Sequence, residues 1–315
     1  MITELMVFAG AGWVGLNIGA NDAGYCMGAC VGGGALGFRR AMLVAAVFAF
    51  VGGLFGGEVT RTISQNVLLP RDLTSTVAAT CLLVTGSVVA AATFFGIPVS
   101  TSHGIVLGII GAGLGIGAAI ETEGVFTVAS AWALLPLVMI LLSFLLTVAL
   151  KSVLSRVGSL AGLEITLKYM LVASGIYASF ALGASHAGLA GGLLEGAGIM
   201  GRFQATLLGS ISIAVGLLLL SGRVIKTVAE GITALSPTSA FAMQLSASIG
   251  LNICSILGIP VSSSQSIVAA AVGVGLAQGG TAINTRQVTK IALFWIMIPL
   301  GTLVVTYLLM HFVVG

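Results

Sequence analysis

Long apolar runs separated by short polar interruptions fill the whole chain. In the first half they lie at about 4–20, 22–36, 41–56, 76–95, 103–119 and 129–150. In the second they lie at about 168–184, 186–200, 204–221, 238–257, 265–278 and 288–313. The runs are continuous and lack the residue-by-residue alternation of barrel strands, so they predict helices. A helix needs about 20 apolar residues to cross a bilayer. The runs at 22–36, 103–119, 186–200 and 265–278 are shorter. Short, glycine-interrupted runs at corresponding places in two halves predict half-helices or re-entrant segments near the midplane.

The halves also share peptides. Residues 96–103 read Gly-Ile-Pro-Val-Ser-Thr-Ser-His and residues 258–265 read Gly-Ile-Pro-Val-Ser-Ser-Ser-Gln, so Pro98 and Pro260 stand 162 positions apart. Gly19-Ala20-Asn21-Asp22-Ala23 aligns with Gly183-Ala184-Ser185-His186-Ala187. Gly57-Glu58-Val59-Thr60-Arg61-Thr62 aligns with Gly222-Arg223-Val224-Ile225-Lys226-Thr227. Three blocks in one order predict two homologous membrane repeats, 1–150 and 169–315, joined by a polar junction at 151–168. The expected fold is an all-α integral membrane protein whose repeats are inverted, which requires an odd number of crossings in each half.

Composition narrows the class further. The chain is 58% hydrophobic and 7% charged, with a net charge of +3, against roughly 25% charged residues in soluble domains. No basic run points to nucleic acid, and the first 20 residues lack the basic n-region of a cleaved signal peptide. Arginine and lysine are shared among several loops, so the charge bias sets no orientation. Forty-five glycines suit close helix packing and local unwinding. Cys26, Cys30, Cys81 and Cys254 all lie in apolar segments and read as small buried residues. With three histidines in all, no metal cluster is expected.

The chemistry then rests on the few polar residues inside apolar sequence. Proline favours a first helical turn and Ser/Thr favour the N-cap, so Pro98 with Ser100, Thr101 and Ser102, and Pro260 with Ser262, Ser263 and Ser264, each predict the start of a half-helix. Free amides, a positive helix end and three hydroxyls make an anion site, and two copies facing each other can surround one tetrahedral oxyanion. The alternative is that the hydroxyls only satisfy a proline kink. Asp22 is a carboxylate in apolar sequence, hence a functional candidate. With Asn21 it can hold sodium, carry a coupling proton or accept a hydrogen bond from a protonated anion. Asn17 lies one turn earlier. In the second half Ser185 and His186 replace the pair, and His186 can relay a proton, contact the anion or simply pack. His103 and Gln265 are placed to orient the half-helix caps. Gln65, Asn66, Gln244 and Asn252 are further polar residues near segment ends. Glu58 with Arg61, and Arg223 with Lys226, read as a gate of ion pairs or as solvated helix ends.

Together Gly19-Ala20-Asn21-Asp22, Pro98-Val99-Ser100-Thr101-Ser102-His103 and Pro260-Val261-Ser262-Ser263-Ser264-Gln265 resemble the signature of the inorganic phosphate transporter (PiT) family over nearly the whole chain. The resemblance implies an inverted-repeat symporter of phosphate with sodium or protons. It implies that the Ser/Thr runs bind the anion and that the Asn-Asp pair serves anion and cation. Ser185-His186 stands where the family repeats Asn-Asp, and Gln265 where it has His. A sodium site on a second Asp is therefore weakened, which favours protons. Some relatives look like sulfate or thiosulfate permeases, which need donors but no acceptor for a substrate proton.

The expected function is secondary active transport of a small oxyanion, phosphate first and sulfate second, by alternating access in the cell membrane. The substrate site comprises Asn21, Asp22, Ser100, Thr101, Ser102, Ser185, Ser262, Ser263 and Ser264. The coupling ion, sodium or a proton, falls to Asn21, Asp22 and His186, with no other cofactor. The oligomeric state stays open, a homodimer included. Two rival classes are an anion channel, which needs weak or multiple sites, and an intramembrane enzyme built on Ser185. The second lacks a convincing base within reach of the serine.

Overall fold

The computed structural model describes residues 1–154, 160–222, 225, 236–280 and 283–314. The long elements among the described residues are all helices. In the first half α1 is Ile2–Gly32, α2 Phe38–Gly53, α3 Gly57–Gln65, α4 Ser75–Phe94, α5 Thr101–Gly115 and α6 Thr122–Leu154. In the second, α7 is Leu160–Gly196, α8 Arg202–Leu220, α9 Pro237–Ile256, α10 Ser263–Ala277 and α11 Thr285–Val314. Seven of the described helices are long and apolar enough to cross a membrane. The pair α2 and α3 is bent by 63° at its break, and α5 and α10 are short apolar helices.

The two short runs around the triple hydroxyls do become short helices, α5 and α10. The other two do not. The expected breaks at Asn21-Asp22 and Ser185-His186 are absent: runs 4–20 and 22–36 fuse into the 31-residue α1, and runs 168–184 and 186–200 into the 37-residue α7. Polar side chains do not by themselves interrupt a helix when neighbouring elements supply their partners. Glycines along these helices serve packing. A Cβ on Gly19 would strike the Ile213 carbonyl of α8, and one on Gly183 would strike the Ala49 carbonyl of α2. The described residues of the expected polar junction are helical. Described residues on both sides of it belong to α6 and α7, with Glu164 and Lys168 on α7; Arg156 lies outside the described residues.

The duplication persists in three dimensions. Helix α1 packs on α4 and α8, and α7 packs on α9 and α2. The last long helices carry the same landmarks 163 positions apart, Trp132 and Pro136 on α6, Trp295 and Pro299 on α11. Their partners are exchanged, however. Helix α5 of the first half packs on α11 of the second, and α10 of the second packs on α6 of the first. The core therefore runs through both halves and belongs to neither.

Candidate functional site

Each short helix is introduced by the same local device. Helix α4 ends in a turn where Gly96 takes φ +69°, and α9 ends where Gly258 takes φ +69°. The Ile97 amide donates back to Ala92 O and the Ile259 amide to Cys254 O, closing the end of each helix. Proline then prevents continuation. The sequence pattern predicts Pro98 and Pro260 in the first helical turn; they lie instead two residues before the caps. Ser100 caps α5 by accepting from the His103 amide at 3.3 Å, and Ser262 caps α10 by accepting from the Gln265 amide at 3.2 Å.

The two starts meet. Ser102 Oγ donates to Val261 O at 2.8 Å, and Ser264 Oγ donates to Val99 O at 3.0 Å. Since Ser102 matches Ser264 and Val99 matches Val261, this is one contact made twice across the internal repeat. Ser262 Oγ lies 3.0 Å from Ser264 Oγ. Two positive helix ends thus converge on one buried place, which costs free energy unless negative charge lies between them.

Asp22 is the ionisable group placed to supply that charge. Its Oδ1 accepts from Ser263 Oγ at 2.7 Å, and its Oδ2 lies 3.8 Å from His186 Nε2 without a hydrogen-bond partner. Asp22 and His186 are 2% and 1% exposed. The carboxylate of the first half, the imidazole of the second and the first residue of α10 therefore form one sealed cluster. Thr101 Oγ1, the repeat mate of Ser263 Oγ, is buried without a partner, and so is Ser185 Oγ.

Asn21 is engaged differently. Its amide donates to Thr93 Oγ1 and Ile97 O, each at 3.0 Å, and its Oδ1 accepts from the Val99 amide at 3.0 Å. These bonds clamp the Gly-Ile-Pro-Val loop of the first half to α1. Ser185, at the same place in the second half, is too short to copy the clamp.

Other polar residues sort by burial. The His103 ring lies tilted against Trp132 with ring centroids 3.8 Å apart, and Trp132 Nε1 donates to Pro260 O at 2.8 Å. Gln244 is fully buried. It donates to Tyr25 O and Cys26 O and accepts from Ser174 Oγ, bracing α1 against α7 and α9. Asn252 donates to Tyr177 OH at 2.9 Å. Asn17 donates to Trp13 O within its own helix. Glu58 and Arg61 lie 4.0 Å apart on the same turn of α3, each more than half exposed, as solvated helix ends would be. Arg223 and Lys226 lie outside the described residues. Sequence reasoning missed Thr93 and Trp132. The spacing of the tryptophans, 163 positions, was the available signal for the second.

The sequence pattern that defines the phosphate transporter family matches the chain twice, at residues 18–161 and 156–309. The sulfate permease CysP of Bacillus subtilis (strain 168) is 29% identical over 93% of this chain and 83% of its own length. The putative phosphate permease TK2061 of Thermococcus kodakarensis is 29% identical over 98% of this chain and 96% of its own length. A solved structure described as the sodium-dependent phosphate transporter superposes with a TM-score of 0.89, at 23% identity and 99% coverage of both chains.

Proposed function

Because the chain belongs to the phosphate transporter family, a family of multi-pass membrane transporters and not of enzymes, we propose that it is a proton-coupled symporter of a tetrahedral oxyanion, phosphate foremost, in the plasma membrane. One observation carries this reading. Asp22 sits where the two half-helix starts meet, with one oxygen held by Ser263 and the other facing His186.

The anion would be held by the first-turn amides of α5 and α10 that the serine caps leave free, and by the hydroxyls of Ser100 and Thr101, while the Ser263 hydroxyl holds Asp22. Asp22 Oδ2 is the acceptor that hydrogen phosphate requires and sulfate does not. Sealing a dianion from water costs several kcal/mol per ion unless charge is compensated, so a cation must travel with it. Hard cations seek oxygen ligands. Asn21 Oδ1 is engaged with the Val99 amide, and the neighbour of Asp22 Oδ2 is an imidazole nitrogen, which suits a proton better than sodium. With both groups neutral or both ionised the Asp22–His186 pair has no net charge, and one further proton makes it +1. The two halves would then expose the loaded site to each side in turn.

Sulfate is the second reading. The loss of the second Asn-Asp pair removes an acceptor, and a relative similar over 93% of this chain is named a sulfate permease. Radiotracer uptake into proteoliposomes decides, with phosphate and sulfate each tested under a proton gradient and a sodium gradient. Saturable phosphate uptake driven by protons is the expected result. Proton-driven sulfate uptake assigns the second reading, sodium dependence overturns the coupling, and unsaturable flux without a co-ion would make the protein a channel.

A further inference from the structure

The fold carries one recess twice, with opposite charge. The first, about 500 Å³, lies beside Leu257-Gly258-Ile259 and is lined by Gly124, Thr127 and Val128 of α6 together with Glu121 and Glu123. The second, about 110 Å³, lies beside Phe95-Gly96-Ile97-Pro98 and is lined by Gln287, Lys290 and Ile291 of α11. These linings are repeat mates. Thr127 corresponds to Lys290 and Glu123 to Arg286, each 163 positions on, and the loops correspond at 162. Each recess ends on the loop that runs into a half-helix start.

The indoles one turn further along α6 and α11 from the two linings also differ. Beside the acidic recess, Trp132 Nε1 is tied to Pro260 O at 2.8 Å. On the basic side its mate Trp295, one turn along α11 from Ile291, has a buried Nε1 without a partner. Thr101 Oγ1, on the first residue of the α5 helix that packs against α11, is also buried without a partner. An indole N–H can only donate. An unengaged indole donor one turn from a lysine-lined recess is what an anion needs.

Resting on the oxyanion reading above, we propose that the recess of Lys290, Gln287 and the Phe95–Pro98 loop is an outer docking subsite for the transported oxyanion. There the anion is collected before it passes the Trp295 N–H toward the buried centre. A cationic side chain at the mouth of a low-dielectric cleft raises the local anion concentration. The mate recess, with Glu121 and Glu123, repels the same anion. The internal repeat thus gives the substrate one favoured mouth and one disfavoured one.

The test is the KM and maximal rate of oxyanion uptake in proteoliposomes, at low and high ionic strength, with the unsubstituted protein as reference. Lys290→Glu should raise KM roughly ten-fold at low salt with maximal rate retained, and the difference should shrink at high salt. Trp295→Phe keeps the ring, loses the donor and should raise KM without this salt dependence. Glu123→Gln should leave KM unchanged or lower it. An unchanged KM in Lys290→Glu, or an equal rise in Glu123→Gln, overturns the subsite while leaving the transport function intact. No uptake by the unsubstituted protein would instead sink the function itself.

Discussion

Asp22 offers its two carboxylate oxygens to different partners, a hydroxyl of α10 and an imidazole of α7. On the proposed reading this division lets one residue serve both anion and proton, and it sets the first prediction. Asp22→Asn keeps the size and the bond from Ser263 but removes the charge. Coupled uptake should fall to background while size-exclusion chromatography still reports a monodisperse protein; undiminished accumulation would exclude the coupling role. His186→Asp, combined with Ser185→Asn, restores the pair that the first half carries. Uptake by this double variant should shift from dependence on a proton gradient toward dependence on sodium. Asp22 was legible in the sequence because a carboxylate in apolar sequence is costly wherever the chain folds. Its pairing with His186 was not legible, since nothing local brings residues 22 and 186 together. The role of Asn21 was least legible. An amide that can donate and accept reads from sequence as a ligand, and only its three bonds to Thr93, Ile97 and Val99 show it working as a clamp.

Helices α5 and α10 are built alike, by a glycine turn, a proline stop and a serine cap, and then cross-braced by Ser102 and Ser264. Loss of either brace, Ser102→Ala or Ser264→Ala, should lower stability by about 1 kcal/mol, within the range of interhelical hydrogen bonds in membranes. The matched cap changes Ser100→Ala and Ser262→Ala should each weaken binding of the same anion, measured as equilibrium binding to purified protein. A defect from one copy alone would contradict a shared site. Asn21→Ala should cost more than a brace, about 1–3 kcal/mol, because it leaves the buried Val99 amide unsatisfied. The half-helix starts were legible because caps and turns are written within a few residues. The continuity of α1 and α7 through Asn21-Asp22 and Ser185-His186 was not, because helix continuation there depends on partners from other elements.

At the scale of the molecule the halves exchange their long helices, α11 covering α5 and α6 covering α10. Neither half can bury its short helix without the other. Fragments 1–150 and 169–315 expressed separately should therefore give no monodisperse protein, whereas co-expression should recover a complex that comigrates with the intact chain on size exclusion. Glycines enforce the same interlock: Gly19→Val or Gly183→Val forces a side chain into the backbone of α8 or α2 and should abolish assembly.

What the sequence by itself determined was the solvent, the duplication and the presence of two capped half-helices and of a carboxylate inside apolar sequence. Each follows from composition or from peptides a few residues long, whose preferences hold in any tertiary context. Only the tertiary structure decided which hydroxyl meets which carbonyl, that Asp22 faces His186 and Ser263, and that the halves are interlocked. The Ser263–Asp22 bond joins positions 241 residues apart. Such a bond has its energy fixed by distance and burial, and neither quantity exists until the helices have packed.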